Sequence, residues 1–161
     1  MASYCSIAEL DDAYGQNLFE RLCVRSDETS PVAPATILAR KQAALDEASG
    51  YMDGYFQPAY YIPIQTTQPS GLANLRQCCG VLAVASLVRQ KGYVARSEDE
   101  SLVIAADPWR KWLRDVAAGV VQIPGASQFD GQSHPGASAP RVGMVFKSFE
   151  PEVYDLQGRY F

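Results

Sequence analysis

The sequence predicts a mainly α protein: a small bundle of about four to five helices, a flexible linker, and an extended, partly β C-terminal tail. Three observations predict this. Apolar residues recur at steps of three, four and seven over Ala35–Phe56, Gly71–Lys91 and Trp109–Ala117, which is helical spacing and not strand alternation. Prolines and glycines punctuate the chain between those segments. A stretch rich in Gly, Ser, Ala and Pro, residues 125–140, then separates the helical part from an apolar, aromatic end.

Taken in order, Ser6-Ile7-Ala8-Glu9 is a capping box that starts a short helix, and Gly15 ends it. Asn17–Cys23 gives a second short helix with Leu18, Leu22 and Phe19 facing inward. A polar, proline-bearing loop, Arg25–Pro34, follows. The long helix Ala35–Phe56, about 33 Å of rod, organises the rest. Its expected apolar line is Leu38, Leu45, Ala48, Met52, Tyr55 and Phe56, flanked by Ile37, Ala44 and Tyr51. Lys41, Gln42, Asp46, Glu47, Ser49 and Asp53 are expected on the polar side. Gly50 and Gly54 each cost roughly 1 kcal/mol there relative to alanine, so packing must hold this half.

Pro58, Pro63 and Pro69 make Gln57–Ser70 an extended crossing segment whose Tyr60 and Tyr61 lie over the helices as a lid. The second long helix carries Leu72, Leu75, Cys79, Leu82, Ala83, Ser86 and Leu87 on its stripe, with Gly92 past its end. Ser97–Ala106 begins with acidic residues suited to a solvated helix start, and Asp107-Pro108 reads as N-cap and first helical residue. Whether 97–118 is one kinked helix or two is left open by the pattern. Val120–Ile123 is expected to be a short strand. The organisation is thus a helical domain, 1–124, a flexible linker, 125–140, and an extended tail, 141–161.

The 161 residues suffice for one domain with a real core. A formal net charge of −4 argues against a free nucleic-acid binder, which needs a basic face. The four cysteines, Cys5, Cys23, Cys78 and Cys79, form no C-x-x-C pair, and the single histidine, His134, falls in the linker. They read as small buried hydrophobes and not as zinc ligands. With no signal peptide expected and no apolar run near the roughly 18 residues of a span, no membrane role and a reducing compartment are the expectation. No nucleophile elbow, P-loop, dinucleotide fingerprint or metal-helix motif occurs, so no catalytic, cofactor-binding or metal site is assigned. The candidate functional residues are instead interfacial: Arg141, Val142, Met144, Phe146, Phe149, Tyr154, Leu156, Tyr160 and Phe161. Aromatic and apolar anchors on a tether either fold back on their own domain or dock on a partner, for example as an added strand; the reach of the linker favours docking.

Residues 3–124 resemble a family of tailed-phage proteins, the Mu-like head–tail connector proteins. The resemblance rests on Tyr4–Leu10 with Tyr14-Gly15, on Ala44–Phe56 with Met52-Asp53-Gly54-Tyr55 at its centre, on Tyr60–Ile64, on Leu72–Leu87, and on Trp112-Leu-Arg-Asp-Val-Ala-Ala-Gly119. It implies a non-enzymatic structural protein of the virion neck, assembled in the host cytoplasm as a dodecameric ring. The implied partners are the portal protein on one side and a tail-side neck or tail-terminator protein on the other, with genomic DNA passing through unbound. Pro108 and the 125–161 tail depart from the family pattern, so the tail's docking role rests on its own residues. Two alternatives stand beside this expectation: a tail-completion or tail-terminator protein, and a small helical enzyme or regulator.

Overall fold

The computed structural model describes residues 3–25, 28, 31–92 and 99–128. The chain divides into two units, Met1–Gln128 and Phe129–Phe161. The second unit, with the expected interface residues Arg141–Phe161, lies outside the described residues. The first is mainly α, as expected. Its described helices are α1 (Ile7–Tyr14), α2 (Gln16–Cys23), α3 (Pro34–Phe56), α4 (Pro69–Gly92), α5 (Glu100–Ile104) and α6 (Asp107–Ala117).

Helix α1 starts as its sequence dictates. The Ser6 hydroxyl accepts the Glu9 N–H at 3.3 Å, and the Glu9 carboxylate accepts the Ser6 N–H at 2.9 Å. That bond holds the Glu9 carboxyl below its ordinary pKa, because it favours the ionised form. Gly15, at φ +83°, donates to Asp11 O and turns the chain directly into α2. A residue with a Cβ adopts that conformation rarely, which is why the two helices meet at a glycine.

Helices α3 and α4 form the spine and make the most extensive contact in the unit. Helices α1 and α2 pack on α3, α2 also touches α4, α6 lies against both spine helices, and α5 rests on α4. The buried residues of α3 are Lys41, Ala44, Leu45, Ala48, Ser49, Met52 and Phe56. This corrects the expected faces at four positions, Tyr51, a flank of the apolar line, being 43% exposed. Leu38 is 58% exposed, whereas Lys41 and Ser49, assigned to the polar face, are buried. The reason is what packs there. The Lys41 ammonium lies 2.6 Å from the Asp11 carboxylate and 5.3 Å from the centre of the Phe19 ring, so α1 and α2 supply an anion and an aromatic face. Ser49 Oγ accepts the Tyr4 N–H at 3.2 Å and sits 3.4 Å from Cys79 Sγ.

Helix α4 is buried on nearly every side from Cys78 to Ala85, since four other helices surround it. A single stripe therefore undercounts its core: Cys78, Val81, Val84, Ala85 and Val88 are buried beside the expected positions, while Leu72 and Ser86 are only half-buried. Contrary to the sequence expectation, this helix is long and apolar enough to cross a membrane, but most of that window is packed inside the bundle. All four cysteines are free and buried. Burial pushes the Cys5 thiol up to about 12 and raises Cys23, Cys78 and Cys79 as well.

The crossing segment is half lid and half edge. Tyr60 is buried, whereas Tyr61 and Ile62 are exposed. The Tyr60 hydroxyl accepts the Ile123 N–H at 3.1 Å and the Gln128 side-chain N–H at 2.9 Å. Isolated antiparallel bridges pair Tyr60 with Gln128 and Thr66 with Ala126. The Thr66 hydroxyl donates to Pro124 O at 2.6 Å, and Gly71 leaves room for that crossing, for a Cβ there would sit 2.3 Å from Pro124 O. Extended pairing thus falls at 126–128 and not at Val120–Ile123. The Val120 and Val121 N–H groups both turn back to Asp115 O, closing α6 instead of joining a ladder. Residues 125–128, assigned to the linker, are tied to the helical unit.

Residues 99–117 make two helices, α5 and α6, parted at Ala105-Ala106, which settles the question left open by the sequence. Ala106 and not Asp107 caps α6, with Asp107-Pro108 in its first turn. Asp99, expected in solvent, bonds Arg21 at 2.8 Å and Lys91 at 3.3 Å, fixing the start of α5 to α2 and α4.

Candidate interaction surface

Where α6 lies against α3 and α4, the three helices enclose an open groove of about 330 Å³. Helix α3 contributes Glu47, Ala48 and Tyr51, α4 contributes Leu82, Ser86, Arg89 and Gln90, and α6 contributes Arg110. The spacing follows from helical geometry: 47 and 51 are one turn apart, as are 82, 86 and 90, so each set forms a row along one wall. The buried Ala48 and Leu82 make an apolar floor. Polar and charged groups make the rim.

The Glu47 carboxylate accepts from Ser86 Oγ at 2.7 Å and from the Gln90 amide at 3.2 Å, which fixes it against the α4 wall. Tyr51 is 43% exposed; its hydroxyl lies 3.1 Å from that of Tyr55 and the two rings stand edge to face at 5.2 Å. The Tyr55 hydrogen bond, with some desolvation, raises the Tyr51 phenol, while the Arg110 and Arg114 charges pull it back. Arg110 pairs with Asp107 at 2.7 Å, and Arg89 is exposed on the α4 wall. Phenols and guanidinium groups over an apolar floor are the residue types that dominate interfaces; arginine takes carboxylates bidentately and stacks on rings.

A larger cleft, about 570 Å³, lies between residues 3–9, the crossing segment and the start of α4. Its groups are tied to each other. The Tyr4 hydroxyl donates to the Asp53 carboxylate and accepts the Ile64 N–H at 3.0 Å, and Glu9 pairs with Arg76 at 2.9 Å. Burial, with the Asp53 contact, raises the Tyr4 phenol well above its ordinary value. Among the described residues, no three His, Cys, Asp or Glu side chains gather as a metal site would require.

The three acids noted on α3 separate in space. Asp46 accepts from Gln42 at 2.9 Å, Glu47 lines the groove, and Asp53 holds Tyr4. Sequence reasoning passed over Arg89 and Arg110, and it placed Tyr51 only as a flank of the apolar line. The available signals were the pairs Tyr51/Tyr55 and Arg110/Arg114, each four residues apart on one helix face.

The two motifs that weigh most in the phage resemblance come together. Met52 enters the core, Tyr55 meets Tyr51, and the neighbouring Phe56 packs edge to face on Trp112 at 6.1 Å, with Leu113 and Val116 buried beneath. Comparison with curated proteins finds no match. The family described as "Bacteriophage Mu, Gp36" matches residues 4–142, which takes in the helical unit almost entirely; the chain belongs to that family and is a Mu-like phage protein.

Proposed function

We propose that this chain is a structural head–tail connector, forming a ring between portal and tail in the neck of the virion. The observation that carries the proposal is the family match over residues 4–142, taken with the sequence resemblance to connector proteins. The arrangement of the helical unit is consistent with it: apolar side chains point outward at Leu38 on α3, Tyr61 and Ile62 in the crossing segment, Ile104 on α5 and Val120 just past α6. Side chains of that kind, held on fixed elements, are what subunit contacts use. A ring closes only through contacts between different faces of neighbouring copies, so both the bundle surface and the Arg141–Phe161 segment have a use in it. The acidic balance leaves a channel wall that does not hold passing DNA.

Deleting the gene tests the proposal. DNA-filled heads and complete tails should accumulate apart, and the purified chain should bind the heads and restore joining. Infectious particles at normal yield would contradict it. Tails of abnormal length, with the chain bound to tails and not to heads, would mark a tail terminator instead.

A further inference from the structure

The groove between α3, α4 and α6 and the end of the chain are complementary in charge. Phe149–Phe161 carries Glu150, Glu152 and Asp155 against one base, Arg159. The groove is lined by Arg89 and Arg110 against Glu47; beyond the lining, Asp107 pairs with Arg110, and the Arg114 charge acts on Tyr51. Glu47 already receives two hydrogen bonds from α4, which damp its repulsion of an incoming acid. The segment also carries Phe149, Tyr154, Tyr160 and Phe161, which suit the apolar floor and the Tyr51–Tyr55 pair.

We infer that the α3/α4/α6 groove is the receptor for the acidic, aromatic Phe149–Phe161 segment of a second copy of this chain. The inference rests on the connector proposal and names the contact that would close its ring. A tail-to-groove contact joins two different surfaces, which is the head-to-tail kind a ring requires. Residues 129–148, which lead to this segment, span at most about 70 Å fully extended, well beyond the roughly 35 Å width of a unit of this size, so the segment can reach an adjacent copy.

The test uses the full-length chain with the photoreactive residue benzoylphenylalanine in place of Tyr154. Isotopically heavy and light copies are mixed, assembled, illuminated and mapped by mass spectrometry. Mixed heavy–light crosslinks to the peptides holding Tyr51, Leu82 and Arg89 are expected. Arg89→Glu with Arg110→Glu should cut their yield about tenfold, since like charges then face each other. Adding Glu150→Arg and Glu152→Arg should restore it, and the circular dichroism of all variants should match the parent. Crosslinks confined to one chain, crosslinks to the portal or to another face, no crosslink at all, or a yield indifferent to charge reversal would each overturn the inference. If crosslinking fails while the chain still joins heads to tails, the groove assignment falls and the connector proposal stands. If crosslinking succeeds while the chain joins nothing, the connector proposal falls and the groove contact stands.

Discussion

Lys41 offers the sharpest test of the packing. Its ammonium is almost fully buried, 2.6 Å from Asp11 and 5.3 Å from the Phe19 ring centre. Breaking a fully buried ion pair by removing one partner costs roughly 3–5 kcal/mol. The Asp11 side chain is 16% exposed, so water partly resolvates it once Lys41 is gone. We therefore expect Lys41→Met to cost about 2–3 kcal/mol, the lost cation–π contact included. Asp11→Asn strands the more deeply buried charge and should cost more, about 3–4 kcal/mol. For a chain of this size, Lys41→Met then lowers Tm by about 4–12 °C. Combining Lys41→Met with Asp11→Leu, which leaves neither charge behind, should recover most of the loss. Urea and thermal unfolding followed by circular dichroism measure all three. A Lys41→Met variant within about 0.5 kcal/mol of the parent, the range of neutral surface changes, would refute the reasoning, as would an Asp11→Asn variant milder than Lys41→Met.

Three further outcomes are expected. Gly50→Ala and Gly54→Ala, where an added methyl meets nothing within 4 Å, should each stabilise the chain by about 0.5–1 kcal/mol, while Gly71→Ala, blocked by Pro124 O, should destabilise it by about 2 kcal/mol or more; urea midpoints give the comparison. The four buried thiols should resist alkylation at pH 8 in the native protein and react fully in denaturant, measured by mass shift. The Arg40 guanidinium holds the Glu28 carboxyl down to about 2 from an ordinary 4.5, so its stabilisation is complete above pH 4.5 and lost as pH falls toward 2. Acid titration should therefore bring the stabilities of Glu28→Gln and parent together over that window.

Periodicity made the helices legible, because a 3.6-residue repeat is written in single residues. It revealed the long spine helices, while cap residues marked the Ser6–Glu9 box and the turn at Gly15. It did not reveal partners. Lys41 looks polar by type, and only Asp11 and Phe19, some 20 to 30 positions away, make its burial favourable. Asp99 likewise looked solvated because Arg21 and Lys91 come from other elements. Helix α4 lost its stripe because a helix surrounded by four others has no polar face to display. The expected strand at Val120–Ile123 failed for a local reason: backbone donors that Asp115 O can take back are not free for a ladder. The α3/α4/α6 groove stayed hidden because its eight lining residues come from three helices and follow no common period. The tail residues Arg141–Phe161 were singled out by composition alone, and their docking belongs to the proposal.

In the proposed role, copies of this chain form the ring that joins head to tail. An electron cryo-microscopy reconstruction of the phage neck tests it directly, with α1–α6 fitted to density and the symmetry counted. The account predicts twelve copies between portal and tail, each with its last residues against the adjacent bundle. Density for this chain in the capsid shell, the tail tube or the tail tip, or its absence from the finished particle, would contradict it.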